Sequence, residues 1–146
     1  MELPPPLRRA VDRALSGAAL TELAAAAADL SRRYREELSG GKMRVASDGD
    51  ALAYLAVRLP ATYAAIRASF ATVAEARPDF APKTALDVGA GPGTALWAAV
   101  ECWPALAEAL LVEASPVFRT LGEQLTAEMQ QPRLNWRTAD VALDEI

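Results

Sequence analysis

The chemistry this sequence offers is concentrated in one run, Leu86-Asp87-Val88-Gly89-Ala90-Gly91-Pro92-Gly93-Thr94. Glycines at 89, 91 and 93 let the backbone turn sharply and approach a ligand with no Cβ in the way. A helix beginning directly after them presents unpaired N–H groups and a positive dipole end to an anionic or polar ligand. The spacing narrows the choice. A dinucleotide fingerprint would place its third glycine at position 94, where this chain has Thr94, and an acid, Asp87, stands two residues before the first glycine. A Walker loop is excluded, because no Gly-Lys-Ser/Thr follows.

Two more acids fall where a ligand could meet them. Glu113 ends the next expected strand, 24 residues after Gly89. A carboxylate there can accept both hydroxyls of a ribose, which suits any nucleoside ligand, nicotinamide dinucleotides included. Asp140, in Thr138-Ala139-Asp140, follows a third expected strand, where a turn or a helix cap would also use it. Other chemistries are missing their residues. The chain has no histidine and one cysteine, Cys102, which removes most catalytic triads, most zinc sites and any internal disulfide. No metal site is expected.

The elements that must position these residues follow from periodicity. Alanine fills 33 of the 146 positions and favours helix in the first two thirds. Helices are expected over residues 3–15, from an N-cap at Thr21 to about 38, from Asp48 or Asp50 to Pro60, and over 61–76 with Tyr63, Ile66, Phe70 and Val73 on one face. Pro78 and Pro82 mark a linker. Beyond it come a strand at 83–88, a helix at 94–102, a strand at 110–113, a helix opened by Ser115-Pro116 and running to about 130, and a strand at 134–138. That order describes right-handed βαβ units and a parallel sheet. The chain therefore divides into a helical region, 1–78, and a partial cofactor-type domain, 79–146.

Apolar residues make up 52% of the chain, enough for a packed core. No stretch is long and apolar enough to span a membrane, and the start, Met-Glu-Leu-Pro-Pro-Pro, has no secretory pattern. With a lone cysteine, this places the protein in the cytoplasm. The formal charge is −4, with 8 basic and 6 acidic side chains in residues 1–46. Arg32, Arg33, Arg35, Lys42 and Arg44 could contact phosphate, but Glu36 and Glu37 interrupt them, so a solvated face is the expectation. Trp97, Trp103 and Trp136 could stack on bases; their place in core elements points to packing instead. Cys102 is expected to be a buried, small apolar residue.

The motif D-x-G-x-G-x-G closing a first strand resembles motif I of class I S-adenosylmethionine-dependent methyltransferases. The resemblance implies Gly89, Ala90, Gly91 and Gly93 as the loop against the amino-acid end of that cofactor, and Asp87 as partner of its ammonium group. Glu113 is similar in placement to the family's ribose-binding acid. Asp140 stands where the family often sets an acid or amide against the adenine amino group. A narrower resemblance rests on the Leu-Pro-Pro helix start, the alanine-rich helix, Arg58-Leu59-Pro60-Ala61-Thr62-Tyr63, the Pro78-Asp79-Phe80-Ala81-Pro82 linker and Trp97. Together these are similar to the small-ribosomal-subunit-associated methyltransferase-like family, over essentially the whole chain.

That resemblance implies an α/β fold: an N-terminal helical region followed by the first half, about three parallel strands, of a Rossmann-like sheet. It implies S-adenosylmethionine as cofactor, the small ribosomal subunit or its RNA as partner, and a role in ribosome assembly with or without methyl transfer. A non-catalytic assembly scaffold and a nicotinamide-dependent oxidoreductase are the alternatives. The sequence reads as the N-terminal portion of a longer protein, so no catalytic residue is assigned. Cofactor binding by this portion alone is expected to be weak. The first strand is expected to be an open edge through which copies could self-associate.

Overall fold

A computed structural model describes residues 2–37 and 47–140. Four helices come first: α1 Pro5–Leu15, α2 Leu20–Glu37, α3 Asp48–Val57 and α4 Leu59–Ala76. Strand β1 Thr84–Val88, helix α5 Thr94–Cys102, strand β2 Glu108–Glu113, helix α6 Pro116–Thr126 and strand β3 Arg133–Thr138 follow. The three strands are parallel, in the order β1-β2-β3. The expected α/β architecture is present, with each boundary within a few residues of its sequence signal.

Local chemistry explains the differences. Thr21 does not cap α2; it lies inside the helix, whose ladder already begins with Leu23 N–H donating to Ala19 O at 3.0 Å. Ser47, not Asp48 or Asp50, caps α3, its hydroxyl accepting the Asp50 N–H at 3.2 Å. The expected break at Pro60 is present, with α3 ending at Val57 and Pro60 in the first turn of α4, where its missing N–H is no loss. α6 stops at Thr126, four residues short of the expected end. On α4, Tyr63 is buried and Phe70 reaches Trp103 at the end of α5, but Val73, one turn further, is 42% exposed.

The helices of the first half pack directly on those of the second. Leu7 and Val11 of α1, Tyr54 and Leu55 of α3 and Tyr63 of α4 share a buried cluster with Trp97 of α5 and Phe118, Leu121 and Leu125 of α6. Arg13 bridges α1 to Glu128 at 3.0 Å. Tyr63 donates to the Glu101 carboxylate, which Arg67 also reaches at 3.2 Å, so the Arg58–Tyr63 segment ends in a polar clasp on α5. Burial, then that hydrogen bond, raises the Tyr63 phenol above its ordinary range. Trp97 is buried and Trp103 packs edge-on against Phe80. Cys102 is only half-buried, with its thiol pushed up chiefly by desolvation. Arg32 pairs with Asp29 along α2; the side chains of Arg33, Arg35, Lys42 and Arg44 lie outside the described residues.

Both α5 and α6 lie on one face of the sheet, the face carrying Asp87, Leu111 and Trp136. β1 is an edge, and the residues alternating with Asp87 turn to the other side. Leu86 there is 60% exposed and Val88 45%.

Candidate functional site

The parallel register sets Val88 beside Val112 and Glu113 beside Thr138, so the carboxyl ends of all three strands finish at one edge. Asp87, the glycine loop, Glu113 and, two residues past β3, Asp140 are thereby brought to the same side of the sheet. Ligands in open α/β sheets bind at that side.

The loop is pinned by its own amides. Gly89 and Ala90 both donate to Val112 O, at 2.8 and 3.1 Å, and Gly93 donates to Ala90 O at 2.9 Å. Gly91 N–H donates to Glu113 Oε2 at 2.7 Å, and the other oxygen, Oε1, accepts Ser115 N–H at 2.7 Å. Four loop N–H groups are therefore spent inside the protein, and Pro92 has none. The loop amides are thus not free for a ligand, and any donors offered to one would come from the first turn of α5. Glu113 is 9% exposed and is held by two backbone donors, in addition to any ligand it takes.

What the loop offers outward is space. All three glycines have positive φ: 72° at Gly89, 55° at Gly91 and 80° at Gly93. A side chain at any of them would strain the backbone. A Cβ at Gly89 or Gly91 would meet nothing within 4 Å, so each would project into the open space over the loop. At Gly93 the Cβ position is instead 3.4 Å from Trp136 and 3.6 Å from Leu111, so this glycine is packed from below.

The polar balance of the site is acidic. One carboxylate oxygen of Asp87, Oδ2, is buried and has no hydrogen-bond partner among the described residues. Burial first, and then the neighbouring charge of Glu113, push the Asp87 carboxyl above the ordinary carboxylate range. Thr94, the first residue of α5, is 3% exposed, and its hydroxyl is also without a partner among the described residues. A buried acceptor beside a second carboxylate calls for a cationic donor, such as an ammonium group, and repels phosphate.

Sequence reasoning assembled Asp87, Gly89, Ala90, Gly91, Gly93, Glu113 and Asp140; the sheet carries all of them to one edge. It missed the contribution of Thr94 and the place of Trp136 beneath Gly93. The signal for the second was Gly122, a glycine in the middle of an otherwise regular helix, where only a close neighbour justifies its cost.

Comparison with known proteins adds to this geometry. The family described as mitochondrial small ribosomal subunit Rsm22 matches residues 48–146. The human mitochondrial ribosome assembly protein METTL17 is 35% identical over 80 residues, 54% of this chain. The chain spans 18% of that relative's length.

Proposed function

The chain belongs to the mitochondrial small ribosomal subunit Rsm22 family, and on that basis we propose that it is an S-adenosylmethionine-binding, methyltransferase-like protein acting in assembly of the small ribosomal subunit. The observation that carries the cofactor is the buried Asp87 Oδ2, which has no hydrogen-bond partner among the described residues, on the strand that leads directly into the open glycine loop. That cofactor's amino-acid end bears an ammonium group of the kind the carboxylate lacks, and the residues present fit it.

In this reading Asp87 holds the ammonium. Gly89, Ala90, Gly91 and Gly93 allow the close approach. Glu113 accepts the ribose hydroxyls on the lone pairs its two amide bonds leave free. Asp140 faces the adenine. When bound, the cofactor supplies an electrophilic methyl group on a sulfonium, and transfer then depends on proximity and alignment, for which histidine is not needed. A nicotinamide dinucleotide is disfavoured, because its pyrophosphate would meet spent loop amides and a pair of carboxylates.

A second reading, an assembly scaffold that keeps the fold without methyl transfer, draws on Glu113, whose two backbone bonds already give it a structural task. The relative's name, ribosome assembly protein, agrees with either. The small subunit or its RNA is the proposed partner. Among the described residues no helix is long and apolar enough to cross a membrane. The cytoplasm is the proposed location, resting on the lone cysteine, whereas the relative's name places that protein in mitochondria.

The test is a titration of isotope-labelled chain with S-adenosylmethionine, S-adenosylhomocysteine and NAD, followed by amide resonances, which register even weak binding. Shifts confined to 87–94, Glu113 and 138–140 with the first two ligands are expected. Silence with both would leave the scaffold, and a response to NAD alone would make the oxidoreductase the better reading.

A further inference from the structure

The loop's third glycine rests on a tryptophan from a different strand. The Cβ position of Gly93 lies 3.4 Å from both Cη2 and Cζ2 of Trp136. The same two atoms press on α6: a Cβ at Gly122 would stand 2.3 Å from Cη2 and 2.6 Å from Cζ2, closer than real side chains approach. The outer ring of the indole thus lies between the loop and the middle of α6: Gly122 has no room for a side chain, while a Cβ at Gly93 would sit in ordinary van der Waals contact with the ring. The indole Nε1 is buried with no hydrogen-bond partner among the described residues, so the ring's place is set there by packing. Gly93 is also the N-cap of α5 and carries the largest positive φ of the loop. A displacement of the indole toward the loop would therefore press on the backbone that leads into α5.

We propose that Trp136 is a positioning residue for the glycine loop: it sets the conformation of residues 91–94 through Gly93 and transmits to them any shift of α6 at Gly122. The proposal rests on the reading of this loop as the ligand site only for its consequence on affinity. The coupling itself belongs to the ligand-free protein and is measured there.

The experiment compares backbone amide resonances and hydrogen exchange of the ligand-free chain in wild type, Trp136→Phe, Gly122→Ala, the double variant and Trp103→Phe. Trp136→Phe removes the outer ring from under Gly93 and should shift Gly91, Gly93 and Thr94 amides and speed their exchange. Gly122→Ala should move the same amides by forcing the indole, and in the Trp136→Phe background that effect should vanish, because the atoms it strikes are gone. Trp103→Phe loses comparable packing at the other end of α5 and should leave the loop amides in place. Loop resonances unmoved by Trp136→Phe, or moved equally by Trp103→Phe, overturn the proposal even where Gly122→Ala fails to fold. In a parallel titration with S-adenosylmethionine, Trp136→Phe should weaken binding several-fold. A wild-type chain that ignores this ligand refutes the cofactor reading, while the amide comparison still decides the role of Trp136.

Discussion

The last residue of β2 holds the loop that follows β1: Gly91 N–H donates to Glu113 Oε2 at 2.7 Å. Because Glu113 Oε1 simultaneously accepts Ser115 N–H, the side chain ties the two strand-to-helix turns of the sheet together. A carboxylate placed for ligand contact alone would make no such backbone bonds, and its loss would leave the ligand-free protein unchanged.

Glu113→Gln should therefore destabilise the ligand-free chain. An amide keeps one acceptor oxygen, and its NH2 group must face a backbone N–H that it cannot satisfy. The cost expected is about 1–3 kcal/mol, read from urea unfolding. Equal stability of wild type and variant would mean that the two bonds contribute nothing beyond what water supplies.

Asp87→Asn should act in the opposite direction. The folded Asp87 carboxyl is raised by burial and by Glu113, so its favourable contribution is complete below the unfolded-state value and is lost as pH rises through the folded one. Removing the charge should raise the melting temperature at neutral pH, and the gain should shrink as pH falls through the acid range. The same variant should lose affinity for S-adenosylmethionine. In wild type that affinity should grow as pH rises through the acid range, because an ammonium ligand needs the ionised acid. A destabilised Asp87→Asn protein, or unchanged affinity, would contradict this account.

Gly91→Ala separates strain from obstruction. The new Cβ meets no protein atom, so the ligand-free fold should lose only about 1–2 kcal/mol for a side chain at positive φ. Gly91→Val, with branches over the open space, should abolish cofactor binding while still folding. Calorimetry on the two variants beside circular dichroism gives both readouts.

Leu86→Lys addresses the edge. β1 has a partner on one side only, and Leu86 and Val88 are exposed on its uncovered face. We expect concentration-dependent association of the wild-type chain by light scattering, reduced by a lysine on the strand. A wild type that stays monodisperse at high concentration would show that the edge is protected.

Most of the fold was legible because its signals are local. Ser115-Pro116 announces α6, and the glycine loop announces the first β-to-α turn, since caps and positive φ are written in single residues. The acids of the site were legible because each closes or follows a strand, and parallel pairing carries strand ends to one edge. What was not legible depends on contacts between distant segments. Nothing near Trp136 in the chain says that its ring reaches under Gly93, and nothing near Glu113 says that its oxygens are taken by Gly91 and Ser115. Asp48 and Asp50 outshone Ser47 as caps because all three are chemically competent, and only the backbone decides which oxygen meets the N–H.

The buried cluster that joins Leu7, Tyr54 and Tyr63 to Trp97 and Phe118 has a consequence for cutting the chain. The connection between α4 and β1 is exposed on both flanks of Pro82, and Phe80, itself exposed, offers chymotrypsin a cleavable bond there. Once nicked, the two pieces would still share one apolar interior, with the Tyr63–Glu101 clasp spanning the break. They should elute together under native conditions and separate only in denaturant. Mixed after separate unfolding, they should reconstitute each other, so that integrity of the molecule resides in its interface rather than in the peptide bond between its halves.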